Sequence, residues 1–93
     1  MTLRFFAYYR DPEYAGCREM TWTGAATLRE LGEGLCRKLG SPFAGEFFSP
    51  DGTALGSKII IMINGRRAEF LQGLDTPLQD SDVVQIFPIV AGG

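Results

Sequence analysis

Histidine is absent from this 93-residue chain. That removes the side chain that most often moves protons near neutral pH, and with it a serine or cysteine triad of the usual kind. Only two cysteines occur, Cys17 and Cys36. They stand apart and offer no zinc or iron–sulfur ligand spacing. Charge of one sign is also scarce: 9 Lys and Arg oppose 11 Asp and Glu, a formal net charge of −2. Without a basic stripe or interleaved aromatics there is no nucleic-acid footprint. No apolar run is long enough for a membrane span, and no signal peptide is readable. The expectation is a cytoplasmic, reduced protein with neither membrane nor nucleic-acid partners.

What is present is ordinary globular composition, 45% apolar and 22% charged. The length suits one domain, residues 1–93, with a modest core.

The pattern along the chain alternates between strand and helix periods. Residues 2–9 read as a first strand, with Leu3, Phe5, Ala7 and Tyr9 on one face and Phe6 and Tyr8 on the other. Asp11-Pro12-Glu13 breaks it, and residues 17–22 read as a second strand. Thr27 with Glu30 three residues on is a capping-box start. Leu28, Leu31, Leu35 and Leu39 then form one helical stripe, with Cys36 beside it. Gly40 suits the helix end. Gly32 and Gly34 weaken the helix interior by roughly 1 kcal/mol each relative to alanine, so they belong on its outer face or at a close approach. So short a stripe needs a sheet to dock on.

Residues 41–57 lack a clear period and read as an irregular connection, with a short helical or extended piece near Phe43–Phe48. Residues 58–63, Lys-Ile-Ile-Ile-Met-Ile, predict a buried central strand. Asn64-Gly65 is a hairpin turn, and Arg66–Phe70 returns as an edge strand. Asp75-Thr76-Pro77 is a turn that can hold a 3₁₀ piece, and Asp80-Ser81-Asp82 is another. Residues 83–89 form the last strand, with Val84 and Ile86 facing inward. The order β-β-α-β-β-β gives an α+β fold: a mixed sheet wrapped on one main helix.

Candidate chemistry is sparse. Asp75, Asp80 and Asp82 lack the glycine and terminal glutamate of a calcium loop and read as turn formers that cap local amides; no metal site is expected. Gly16 and Gly24 do not make a phosphate-cradling loop. Cys36 reads as a core residue, while Cys17 is open. Arg66 and Arg67 fit a solvated edge or a site for an anion or partner carboxylate. The remaining feature is the end of the sequence, Val90-Ala91-Gly92-Gly93. Pro88 stiffens the exit from the last strand, and the small residues after it can thread a narrow channel and present a carboxylate without obstruction. Composition alone leaves a working tail and a frayed end both open.

Taken whole, residues 1–93 resemble the ubiquitin-like β-grasp sulfur carriers of the MoaD/ThiS family. The likeness is strongest to the small subunit of molybdopterin synthase, with the thiamine-pathway carrier more distant. It rests on Ile63-Asn64-Gly65-Arg66, on Leu74-Asp75-Thr76-Pro77-Leu78, and above all on the run from Asp82 through Phe87-Pro88 to Gly92-Gly93. Ile89 stands where that family often has a second proline.

The resemblance implies a mechanism. An E1-like activating enzyme (MoeB/ThiF type) would use ATP to adenylate the Gly93 carboxylate, and sulfur would then replace AMP to leave a thiocarboxylate. The tail, slim at Ala91 and Gly92, would enter the large synthase subunit (MoaE type) and deliver sulfur to a pterin precursor. The chain would bind no cofactor of its own and would be a carrier, not an enzyme. Phe87, Pro88, Ile89, Val90 and Ala91 would dock the partners. Phe6 and Phe70 either join that surface or fill the core or a groove. The alternatives are a carrier for another pathway (thiamine, tungsten cofactor, cysteine or tRNA thiolation), a protein modifier joined to lysines through Gly93, and a β-grasp binding module whose glycines are inert.

Overall fold

A computed structural model describes residues 1–89. Its order is β1 (Thr2–Phe5), β2 (Glu19–Thr21), α1 (Leu28–Leu39), α2 (Ser41–Phe47), β3 (Ile59–Ile63), β4 (Arg66–Arg67) and β5 (Val83–Pro88). Short 3₁₀ turns at Ala7–Arg10, Ala68–Phe70 and Gly73–Asp75 link them. The five strands form one sheet in the order β2-β1-β5-β3-β4. β1 runs parallel to β5, and the other pairs are antiparallel. This is the mixed-sheet, α+β β-grasp architecture.

Alternation along the strands decides what is inside. Leu3, Phe5, Ile59, Ile61, Ile63, Val84 and Ile86 are buried. They share one core with Leu28, Leu31 and Leu35 of α1 and with Phe43 and Phe47 of α2. Removing such a side chain, as in Leu31→Ala, costs about 2–5 kcal/mol.

The start of α1 is stitched to the rest of the fold. Thr27 Oγ1 accepts from the Glu30 amide at 3.3 Å, and a Glu30 carboxylate oxygen accepts from the Ala26 amide at 3.2 Å. The segment before β5 adds Leu28 N–H to Thr76 O at 3.0 Å and Leu78 N–H to Ala26 O at 2.9 Å. Thr27 therefore caps the helix as expected, while the Glu30 carboxylate reaches back to Ala26, one residue beyond the Thr27 amide that a capping box pairs. Gly40, at φ 94, ends α1 and caps α2.

Several expectations need correction. The first strand stops at Phe5, because Ala7 takes a left-handed φ of 52; Tyr9 still reaches the core, by way of the 3₁₀ turn. The second strand starts at Glu19 rather than residue 17. The irregular connection contains a true helix, α2, with Pro42 in its first turn and the buried Phe43 and Phe47 one turn apart. The apolar run at 59–63 is not the middle of the sheet, a place held by β5. Only its odd positions are buried, while Ile60 and Met62 are half-buried on the outer face.

The return strand after Asn64-Gly65 is only two residues long, since the chain turns away at Ala68. The turn itself is as expected, with φ 51 at Asn64 and φ 83 at Gly65, the pair of positive values that a type I′ hairpin demands. Gly32 and Gly34 are buried, not outward. A Cβ on Gly32 would lie 2.1 Å from Phe47 Cε1, and one on Gly34 would lie 2.5 Å from Trp22 Cζ2. Both are close approaches of the helix backbone to an aromatic ring.

Candidate functional site: the outer sheet face and the base of the tail

β5 is the last strand among the described residues and ends at Pro88, and its surroundings define what stands just before residues 90–93. Ile89 N–H donates to Lys58 O at 2.7 Å. Val90, Ala91, Gly92 and Gly93 lie outside the described residues. The bonds to β1 leave even-numbered residues of β5: Thr2 N–H reaches Asp82 O at 3.0 Å and Phe6 N–H reaches Ile86 O at 3.1 Å. The next such position is residue 88. By then β1 has ended at the Ala7 bend, so a proline, which lacks an N–H, costs the ladder no bond. Pro88 is buried and pairs with Ile59. It holds the strand end from within and offers no surface of its own.

Phe87 points the other way. It is half-buried on the outer face, paired in register with Ile60 of β3. On its β1 side it stacks on Phe6, with ring centroids 4.3 Å apart and planes 14° from parallel. The Arg10 guanidinium lies over the Phe6 ring at 5.4 Å, held by a 2.9 Å bond from its Nε to Phe5 O. Thus Ile60 of β3, Phe87 of β5 and Phe6, just past the end of β1, form an apolar row on the outer face. The next row is polar beyond β3: Met62 pairs with Gln85, Gln85 with Arg4, and Arg4 meets Glu19 in an exposed ion pair at 3.4 Å.

Ile89 is 44% exposed, so an apolar residue stands open at the point where the tail leaves. Phe70 is 77% exposed, but it belongs to a different region. It follows β4 at the far edge of the sheet, under the Arg67 guanidinium at 5.3 Å. β5 and β3 separate it from Phe6.

Of the turn aspartates, Asp82 does local work. Asp82 accepts from Asn64 Nδ2 at 2.9 Å and from the Gln79 amide at 2.8 Å, and Asn64 Oδ1 accepts from the Val83 amide at 2.9 Å. This ties the hairpin turn to the start of β5, the capping role expected of such residues. Cys36 is half-buried, and burial pushes its thiol above the ordinary range, the opposite of an activated nucleophile.

Two features escaped the sequence reading. Ile60 sits inside a continuous apolar run that reads as a buried strand, whereas strict alternation places it outside. The other is a cluster around Glu46, whose Oε1 accepts from Tyr8 at 2.7 Å and Tyr9 at 2.9 Å and whose Oε2 accepts from Tyr14 at 2.9 Å. Partners 32 to 38 positions apart leave no local signal.

Residues 3–93 match the model of the ThiS family. The chain belongs to that family. Its members are carrier proteins rather than enzymes. Over all of this chain and 98% of the other, it is 34% identical to small archaeal modifier protein 3 of Haloferax volcanii. Among solved structures, the HVO 2177 protein of Haloferax volcanii superposes with a TM-score of 0.80 at 31% identity, covering 99% of this chain and 84% of that one. Small archaeal modifier protein 1 of Methanosarcina acetivorans gives 0.78 at 30% identity, covering 99% and 94%.

Proposed function

We propose that this ThiS-family chain is a sulfur carrier and protein modifier in one, working through the carboxylate of Gly93. An E1-like enzyme would bind ATP, the Gly93 carboxylate would attack the α-phosphorus, and pyrophosphate would leave. The acyl-adenylate then has a good leaving group. A sulfide-level donor displaces AMP to give the thiocarboxylate, or a lysine amine displaces it to give an isopeptide. The chain supplies the acyl group and a docking surface, and its partners supply catalysis. Phe87, Phe6 and Ile60 would form that surface, with Ile89, Val90 and Ala91 leading the tail into the partner's channel.

The observation that carries this reading is the match over residues 3–93 to the ThiS family in a sequence ending Val90-Ala91-Gly92-Gly93. The proteins named as modifiers and similar along nearly the whole chain favour a modifier role over a dedicated one in molybdopterin synthase. A pterin-processing large subunit is accordingly the less supported partner.

Intact-mass measurement tests the proposal. With the adenylating enzyme, ATP and a sulfide-level donor, the chain gains the mass of one oxygen replaced by sulfur. Deleting Gly92-Gly93 abolishes the gain and leaves the melting temperature nearly unchanged. A truncated chain that still acquires sulfur defeats the assignment. Gly-Gly remnants on lysines of other proteins mark the modifier branch, and their absence in cells that contain the thiocarboxylate marks a pure sulfur donor.

A further inference from the structure

Four charged side chains line a cavity of about 500 Å³ beside β3: Arg29 from α1, Arg67 from β4, and Glu69 and Asp75 from the two 3₁₀ turns that follow. Small-ligand sites span roughly 300–1,000 Å³. The four charges do not cancel as two pairs. Arg67 and Glu69 pair with each other. Arg29 and Asp75 form no ion pair among the described residues.

Yet Arg29 and Asp75 are neighbours. Leu28 N–H donates to Thr76 O at 3.0 Å, and each of the two stands one residue from that bond. The cation is held off by a bond of its own: Arg29 Nη1 donates to Gly52 O at 3.0 Å, in the loop across the cavity. A guanidinium carries five N–H donors in a planar fork, so this one bond leaves most of them for a carboxylate. The Asp75 carboxylate, exposed on its 3₁₀ turn, keeps its acceptor sites for an ammonium.

A cation and an anion set close together but unpaired match a ligand that carries both charges on adjacent groups. An α-amino acid does so, because its carboxylate and ammonium share one carbon. A simple anion would satisfy Arg29 and be repelled by Asp75, and a simple amine would meet the reverse. The remaining lining sets the side chain. Thr53, Ser57 and Gln72 are polar but uncharged, and Leu55, Ile61 and Leu74 supply an apolar floor. A charged side chain would find its only counter-ions already joined as Arg67 and Glu69.

We propose that this cavity binds a free amino acid with an aliphatic side chain. Its carboxylate lies on the Arg29 guanidinium, its ammonium on Asp75, and its side chain against Leu55 and Leu74. The inference is independent of the carrier reading.

Amide NMR of the full chain, titrated with leucine, tests it. Millimolar leucine should shift the Leu55, Ile61 and Leu74 amides saturably. Isocaproate, which lacks the ammonium, and isoamylamine, which lacks the carboxylate, should each bind at least tenfold more weakly. Arg29→Gln and Asp75→Asn should each weaken leucine at least tenfold with the melting temperature held. Asp75→Asn should also erase the preference for leucine over isocaproate. The analogue series uses the wild-type chain alone and so does not depend on how the variants fold. Absence of saturable shifts with leucine overturns the site. Analogues that bind as well as leucine, or folded variants that bind leucine as wild type does, overturn the two-charge recognition.

Discussion

The Tyr9 hydroxyl donates to Glu46 Oε1 at 2.9 Å, joining the turn after β1 to the last turn of α2. Tyr8 and Tyr14 complete the arrangement, so one carboxylate gathers three phenols. Burial opposes the Glu46 charge, but the three hydrogen bonds and nearby Lys58 outweigh it and hold the carboxyl below its ordinary range. A lowered folded pKa means stability that is present above the unfolded value and lost as pH falls through the folded one. Thermal melts should show stability declining on acidification below the ordinary glutamate pKa. Glu46→Gln should flatten that decline. Glu46→Ala should cost about 1–3 kcal/mol at neutral pH, since it strands the donor of the buried Tyr9 and loosens the half-buried Tyr8 and Tyr14. Parallel wild-type and Glu46→Gln profiles would refute the assignment.

The same cluster acts with opposite sign in alkali. Burial first, and the Glu46 hydrogen bond second, push Tyr8 up to about 12; burial and Glu46 raise Tyr9 as well. The neutral phenols are the favoured forms in the fold. Their stabilisation is complete below the unfolded tyrosine pKa of about 10 and is lost as pH rises through the folded value. Phenolate absorbance should therefore develop late, and together with unfolding. Glu46→Gln should bring the onset to lower pH.

Glycine in a helix interior normally invites replacement, and alanine returns roughly 1 kcal/mol of helix propensity. Here the two positions should diverge. At Gly32 the new methyl meets Phe47, which is fully buried and has nowhere to go. Overpacking of this kind costs about 1–3 kcal/mol, so Gly32→Ala should be net destabilising. At Gly34 the neighbour is Trp22, half-buried at the rim and free to yield outward. Denaturant midpoints should place Gly34→Ala close to wild type and Gly32→Ala clearly below it.

These glycines also mark what the sequence could and could not convey. Periodicity identified α1, the hairpin at Asn64-Gly65 and the inward pair Val84 and Ile86, because each is written in consecutive residues. The end of β1 is not legible, because an alanine at φ 52 carries no local signature and the alternation runs on through Tyr9. Strand order was out of reach. A continuous isoleucine run suits the middle of a sheet, and only long-range pairing shows that β5 sits there instead. The glycine pair at residues 92–93 lies outside the described residues, and residue type alone leaves its role open. The outer row is half legible: Phe87 and Phe6 are single candidates in the sequence, but their stacking depends on the parallel pairing of β1 with β5.

That stacking separates structure from docking. Parallel offset rings are worth about 0.5–1.5 kcal/mol beyond the area they bury. A double-mutant cycle of Phe6→Ala and Phe87→Ala should return a coupling of about that size in unfolding free energy. Each single variant should also raise KM for adenylation by the partner enzyme. The melting loss alone would follow from any packed pair. The KM increase would not, because Phe6 and Phe87 face outward and lie six residues or more from Gly93, where the proposed chemistry takes place. Phe70→Ser, at an exposed position across the sheet, should change stability by less than about 0.5 kcal/mol. It should leave KM near wild type unless the partner's footprint extends past β4. Equal KM values for Phe87→Ala and wild type, with the coupling intact, would make the outer aromatic pair a packing feature and not a docking surface.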